Sequence, residues 1–176
     1  MAGSHFHPRP SENHEKWEPR GLSPSRVGTS DKLKLRWSTT ISALIEEIRE
    51  KIEGDKFSRF MGIRLVELRE GYSKVAMTVT SDMINFHGIA HGGAIFALAD
   101  AAFAAASNSH GQRALALCMS ISYRSPAREG MELMAEAFEE SLGGRTALYR
   151  IAVRSEDGTL IASCQGTVYR KAEEKI

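Results

Sequence analysis

The sequence predicts a single α+β domain in which one antiparallel sheet packs on one long, apolar helix. Three observations carry that reading. From Gly92 to Ser107 only one side chain, Asp100, is charged, and alanine is the commonest residue. Runs of alternating character flank this stretch, two before it and four after it, each bounded by turn residues. At 176 residues the chain suffices for one well-packed domain but not comfortably for two.

Taken in order, residues 1–36 read as an unstructured leader, in part a remnant of cloning. Residues 1–30 hold four of the five prolines and three of the six histidines, without apolar periodicity. The folded domain is placed at 37–172. It begins with a short amphipathic helix. Ile41, Leu44, Ile45, Ile48 and Ile52 fall at helical spacing, opposite Glu46, Glu47, Arg49, Glu50 and Lys51, and Gly54 ends the run. Residues 62–69 and 72–80 form a predicted hairpin, turning at Glu70-Gly71. A loop bearing glycines and histidines, 85–93, leads into a helix over 94–107. Being apolar nearly all round, that helix is predicted to be buried on every side.

In 114–123, Leu115, Leu117, Met119, Ile121 and Tyr123 alternate with Ala114, Ala116, Cys118, Ser120 and Ser122. That predicts a strand with one bulky and one small face, ended by Pro126. Strands over 131–141, 145–155 and 159–170 continue as a meander, with turns at Gly143-Gly144 and Glu156-Asp157-Gly158. A lone sheet of this kind leaves edges and an uncovered face, which a second copy of the chain would cover.

Composition narrows the function. A formal net charge of +1 gives no electrostatic reason for nucleic acid or an anionic membrane as partner. Cys118 and Cys164 lie in strand-like runs without metal spacing, so two reduced thiols are expected. There is no apolar secretory region, and Glu12, Glu15 and Glu18 interrupt any transit-peptide pattern. The expected compartment is the cytoplasm.

Asp100 is the most informative residue. A lone carboxylate inside a buried helix costs on the order of several kcal/mol unless it is paired or protonated. It is either a structural acid, bonded to a backbone turn or to Asn108, or a general base poised by a raised pKa. Eight residues earlier, Gly92-Gly93 opens the helix. Either the pair only tightens the turn, or its N–H groups polarise a carbonyl and hold the oxyanion formed on attack. Eight residues of helix span about 12 Å, too far for Gly92 and Asp100 of one chain to serve one carbonyl. Two antiparallel helices from two chains remove the difficulty, which points to a dimer with composite sites. His87 and His91 have helical metal spacing but sit in a loop without a third ligand, so no metal is expected. His91 is better read as orienting Asn85 or the substrate. There is no nucleophile elbow, phosphate-binding loop or dinucleotide fingerprint.

These residues carry a resemblance. Asn85-x-x-Gly88-x-x-His91-Gly92-Gly93, Leu98-Ala99-Asp100 and Asn108 resemble the pattern of the PaaI-type hotdog-fold acyl-CoA thioesterases. The likeness runs over about 55–171, through Ile121-Ser122-Tyr123-Arg124-Ser125-Pro126, Gly143-Gly144-Arg145-Thr146, Gly166 and Tyr169. It implies a hotdog fold and hydrolysis of an aryl- or medium-chain acyl-CoA, without metal or organic cofactor, in a tetramer of two dimers. Asp100 would be general base or nucleophile, and Gly92, with Gly93 assisting, would polarise the thioester. Asn85 would position water or leaving group, and His91 would support the loop. Some relatives carry a serine or threonine in the following strand, where this chain has Ala116, Cys118 and Ser120. Asn108 is taken as substrate-binding, Arg124 and Arg145 as candidates for the CoA phosphates, and Phe96 and Phe103 as acyl contacts or plain core. Two alternatives remain: a hotdog enoyl-thioester hydratase or dehydratase using His91 with Asp100, and a non-catalytic acyl-CoA binder.

Overall fold

A computed structural model describes residues 43–175. The expected leader at 1–36 and the first turn of the predicted amphipathic helix lie outside the described residues.

Helix α1 covers 43–53. It buries Ile48 against Leu68 and Ala105, with Ile45 and Ile52 packed alongside. Its outer face carries ion pairs at helical spacing, Lys51 to Glu47 at 2.9 Å and Arg49 to Glu46 and Glu53. A second short helix, α2 (Lys56–Phe60), was not anticipated from the sequence, though its signal is local. Asp55 caps it by accepting the Ser58 N–H at 2.7 Å, which holds the Asp55 carboxyl below its ordinary range.

Strands β1 (Arg64–Arg69) and β2 (Tyr72–Thr78) form the expected hairpin, turning on Gly71 at φ +70°. A single 3-10 turn, Ser81–Met83, precedes the loop to α3 (Gly92–Asn108). After it come β3 (Gln112–Tyr123), β4 (Glu132–Leu142), β5 (Thr146–Ser155) and β6 (Leu160–Lys175). All pairings are antiparallel, in the order β1-β2-β4-β5-β6-β3. The last three strands are the predicted meander. α3 carries the chain from β2 past the whole sheet, so β3 lands on the far edge, paired only with β6.

The core lies between α3 and one face of this sheet. Leu98, Ala99, Ala102, Phe103 and Ala106 meet Val75, Leu133, Ala135, Tyr149, Ile151 and Val168, all essentially inaccessible. The Phe103 ring stands edge-on to Tyr149, centroids 5.6 Å apart, and occupies the space a side chain at Gly166 would need. Any Cβ at Gly166 would lie 2.7 Å from that ring. The Ser73 hydroxyl, also buried, donates to the Ala102 carbonyl at 2.6 Å and ties β2 to the helix.

The far end of α3 is fastened by polar contacts. Ser109 Oγ accepts the Gly71 N–H at 2.7 Å. His110 bridges two carboxylates, Glu70 at 3.0 Å and Glu139 at 2.5 Å, and Glu139 also accepts the Tyr149 hydroxyl at 2.8 Å. Burial, reinforced by that carboxylate, pushes the Tyr149 hydroxyl well above its ordinary pKa.

Two expectations need correction. α3 is not buried all round: Gly93, Asp100 and Ala104 are exposed and Phe96, Ala97, Ala101 and Asn108 half-buried, all off the sheet-facing side. Alanine's small, only weakly hydrophobic side chain is compatible with either environment, so composition alone did not distinguish them. β3 also lacks one bulky and one small face. A bulge between Ala116 and Cys118 switches its alternation midway. Cross-strand partners share a face, and the inward residues of β6 are Ala162, Cys164, Gly166, Val168 and Arg170. Ala114, Ala116, Met119, Ile121 and Tyr123 therefore share the helix side, while Leu115, Cys118, Ser120 and Ser122 face away. Neither cysteine is in a disulfide. Cys118 is exposed, and the buried Cys164 thiol is pushed up to about 11.

Candidate active site

Two clusters lie at different points along α3. The first is its N-terminus. The loop ahead of it is folded around Asn85, whose Oδ1 accepts the N–H of His87 at 2.8 Å and of Ile89 at 3.4 Å. Asn85 also exchanges backbone bonds with Gly88 and Ile89, and Gly88 makes the turn at φ +75°. The loop is pinned at its end, where the His91 N–H donates to the Met83 carbonyl at 2.7 Å. His91 is the N-cap: its Nδ1 accepts the Gly93 N–H at 2.9 Å.

This corrects the expectation for Gly93, whose N–H is already satisfied. Gly92, the first helical residue, has no acceptor for its N–H among the described residues, as the geometry of a helix start requires. Its carbonyl accepts the Tyr123 hydroxyl at 2.9 Å, and a Cβ at Gly92 would meet the Tyr123 ring at 3.0 Å. Glycine is thus needed there for close approach. Tyr123 went unremarked as a site residue in the sequence because the contact joins positions thirty-one residues apart. The carboxamide of Asn85 is partly committed too, its carbonyl end organising the loop.

The second cluster surrounds Asp100. Its carboxylate lies on a cleft of about 710 Å³ between α1 and α2 on one side and the open face of α3 with the start of β3 on the other. By area Asp100 is exposed in the single chain, contrary to expectation, yet the cleft walls crowd it. Desolvation alone raises its pKa above the usual carboxylate value. Lys51, Asp55, Phe57 and Arg113 also border this cleft. Sequence reasoning missed all four, since they come from separate elements.

The other expected site residues divide. Asn108 borders the cleft, but its amide is spent on structure: Nδ2 donates to the carbonyls of Ala104 at 2.9 Å and Ala114 at 3.2 Å, and Oδ1 accepts the Ala114 N–H at 2.9 Å. It joins the end of α3 to β3. Phe96 is half-buried on the open side of α3, whereas Phe103 is plain core. Arg124 and Arg145 are both exposed but lie at opposite ends of the sheet. Arg124 bonds Ile161 and Arg145 bonds Arg170, nine residues along β6, about 30 Å at strand rise. One chain cannot bring both to one phosphate group. His91 and Asp100, the pair a hydratase would use, are separated by nine residues, about 13 Å of helix. Among the described residues no group of His, Cys, Asp and Glu is arranged to hold a metal ion, and no helix is long and apolar enough to cross a membrane.

Comparison with known proteins bears on the family and the fold. The Thioesterase superfamily model matches residues 87–162, from the loop before α3 to the start of β6. The acyl-coenzyme A thioesterase PaaI of Escherichia coli is 36% identical over 118 residues, 67% of this chain and 84% of that protein. The structure of E. coli PaaI superposes with a TM-score of 0.72, at 33% identity, covering 74% of this chain and 96% of that one. A mutant of the phenylacetic acid degradation protein PaaI of Thermus thermophilus gives 0.65 at 44% identity, covering 66% and 100%. A Streptococcus mutans protein bound to acetyl-CoA gives 0.63 at 27% identity, covering 66% and 94%. With its six-stranded antiparallel sheet packed on one long helix, this chain belongs to the thioesterase superfamily, as a PaaI-type hotdog-fold thioester hydrolase.

Proposed function

We propose that this protein hydrolyses acyl-CoA thioesters, of aryl or medium-chain acyl groups, at two sites shared between paired copies of the chain. The observation that carries the reading is the separation of the two halves of the chemistry. A carboxylate with a raised pKa borders a cleft, while a helix start with an uncommitted N–H lies about 12 Å away along the same helix. Antiparallel α3 helices from two protomers bring Gly92 of each beside Asp100 of the other. The exposed edge strand β3, with Leu115, Leu117 and Tyr123 open to solvent, supports such pairing. The relatives named for acyl-CoA or bound to acetyl-CoA support the substrate class.

In this reading Asp100 takes a proton from water as the water attacks the thioester carbonyl. The oxyanion is held by the Gly92 N–H at the positive end of the α3 dipole. Collapse breaks the C–S bond, and the proton held by Asp100 passes to the leaving thiolate, giving free acid and CoA. If Asp100 instead attacks directly, a mixed anhydride forms and water cleaves it. After a single turnover in ¹⁸O-water, label in Asp100 would establish the anhydride route with water attacking the aspartyl carbonyl, because the general-base route places all label in the free acid.

Shared sites are tested with Gly92→Pro. Proline lacks the N–H, suits the first helical position, and follows a residue already at φ −62°, ψ 134°. Combined with Tyr123→Leu, which removes the ring atoms that a Cβ at this position would meet, it should lower kcat by about 10²–10³. Mixing that chain with Asp100→Asn chains should recover about a quarter of the wild-type sites, since a mixed dimer keeps one intact pair. No recovery in a mixture proven to exchange subunits would rule out composite sites.

A further inference from the structure

Ten residues of α3 lie between Ala97 and Asn108, and the side they turn to the cleft bears almost nothing but methyl groups. Ala97, Ala101 and Ala104 stand at i, i+4 and i+7, flanking Asp100 on the same helix face. The opposite wall supplies Ile48 and Ile52 from α1 and Phe57 from α2, with the polar Lys51, Asp55 and Ser58 between them. Most of the lining on α3 lies beyond Asp100, toward the helix C-terminus. From Asp100 to Asn108 the cleft therefore runs about 12 Å along the axis. Its volume of about 710 Å³ falls within the range typical of small-molecule pockets.

We propose that this cleft receives the acyl chain of the thioester, and that the alanine face of α3 and Phe57 together set the chain length accepted. The proposal rests on the thioesterase reading above. It follows from adjacency: a carbonyl held at Asp100 leaves its acyl substituent at the mouth of the cleft that Asp100 borders, beside the alanines of α3. Alanines keep that groove deep, and Phe57 narrows it from the other side. α1 is anchored through the buried Ile48, so Ile52 is a fixed wall. Phe57 is different. It is 59% exposed on a five-residue helix, and its ring lies tilted against that of its neighbour Phe60, with centroids 6.5 Å apart. It is the part of the wall that a substitution changes without cutting into the core.

The test is a series of thioesters, butanoyl- to dodecanoyl-CoA with phenylacetyl-CoA, read as kcat/KM for wild type and three variants. Ala104→Leu fills the groove about 6 Å beyond Asp100. It should lower the decanoyl-to-butanoyl ratio tenfold or more, chiefly through KM, since one methylene in an apolar pocket is worth about that factor. Phe57→Ala should raise the same ratio, extending the profile to longer chains. Phe60→Ala, on the same helix but outside the cleft, should leave it as in wild type. Ala104, Phe57 and Phe60 are all exposed, so the variants should fold, which matched thermal melts verify. Hydrolysis with parallel profiles in all four proteins would overturn this proposal and leave the thioesterase reading standing, as would an equal shift from Phe60→Ala. Failure of the wild type to release CoA from any thioester would overturn both.

Discussion

The two faces of α3 use the same small residue for opposite ends. Toward the sheet, Ala94, Ala99, Ala102 and Ala106 let the helix close onto the strands, and Phe103 fills the gap left by Gly166. That side is shut, and its one large ring is held on all sides. Toward α1 and α2, Ala97, Ala101 and Ala104 leave room instead, and the space contains the only charged group of the helix. Small side chains thus give close approach where a partner surface comes near, and a cavity where none does. The stability of the helix rests on the first face, and the proposed role of Asp100 as the base on the second.

The strongest way to break this comparison is to disarm the open face alone. Asp100→Asn should cut kcat by about 10²–10⁴, the range of a lost general base, without lowering stability. The sign follows from linkage. The folded protein holds the Asp100 proton more tightly than the unfolded chain does. Its stabilising effect is therefore full below the unfolded carboxylate pKa and lost as pH rises through the raised folded value. Near neutral pH the wild type should melt at or below the temperature of Asp100→Asn, and the gap should close as pH falls toward about 4, the ordinary carboxylate range. A variant that loses activity and also melts markedly lower at neutral pH would mean Asp100 is structural. The same raised value should show as the acid limb of the wild-type pH–kcat/KM profile.

The converse change strikes the shut face. Phe103→Ala removes the ring between Tyr149 and Gly166 and should cost about 3–5 kcal/mol in denaturant melts. Any activity remaining in the folded fraction should keep the wild-type chain-length profile, because Phe103 does not border the cleft. A changed profile would show that the two faces are not separable.

The smallest effect is expected at the junction of loop and helix. His91→Ala removes the cap on the Gly93 N–H and should destabilise by about 1 kcal/mol, with His91→Asn restoring most of it. Because the same cap aims the Gly92 N–H, kcat should fall in His91→Ala and recover with Asn. Stability restored without kcat would assign His91 a direct part in the chemistry.

Most of the architecture was legible in local pattern. The Glu70-Gly71 hairpin, the helix after the double glycine and the three-strand meander all depend on turn residues and periodicity, which act over a few positions. What escaped was either short or compensated. α2 is one turn and a half, fixed by the Asp55 cap. The bulge in β3 is invisible to alternation, because its bulky residues continue the pattern while the backbone slips beneath them. At the site, Asp100 and Gly92 stood out by residue type against their surroundings, whereas Asn85 and His91 took their expected roles from the family resemblance. Gly93, from the double glycine, and Asn108, from the resemblance, were expected there as well, but their polar groups are satisfied internally, a fact that depends on neighbours and not on residue type.

The sequence by itself determined that this chain carries a lone acid on an otherwise uncharged helix, eight residues from a glycine-opened start. That spacing and a fixed helical rise were enough to argue for two chains at each site. Only the tertiary structure decided which way the acid faces. α3 carries the chain across the sheet to a far-edge β3, so one side of it is pressed on strands while α1, docked through Ile48 on Ala105, and α2 enclose a cleft on the other. Packing between elements distant in sequence sets that difference, and no local pattern encodes it.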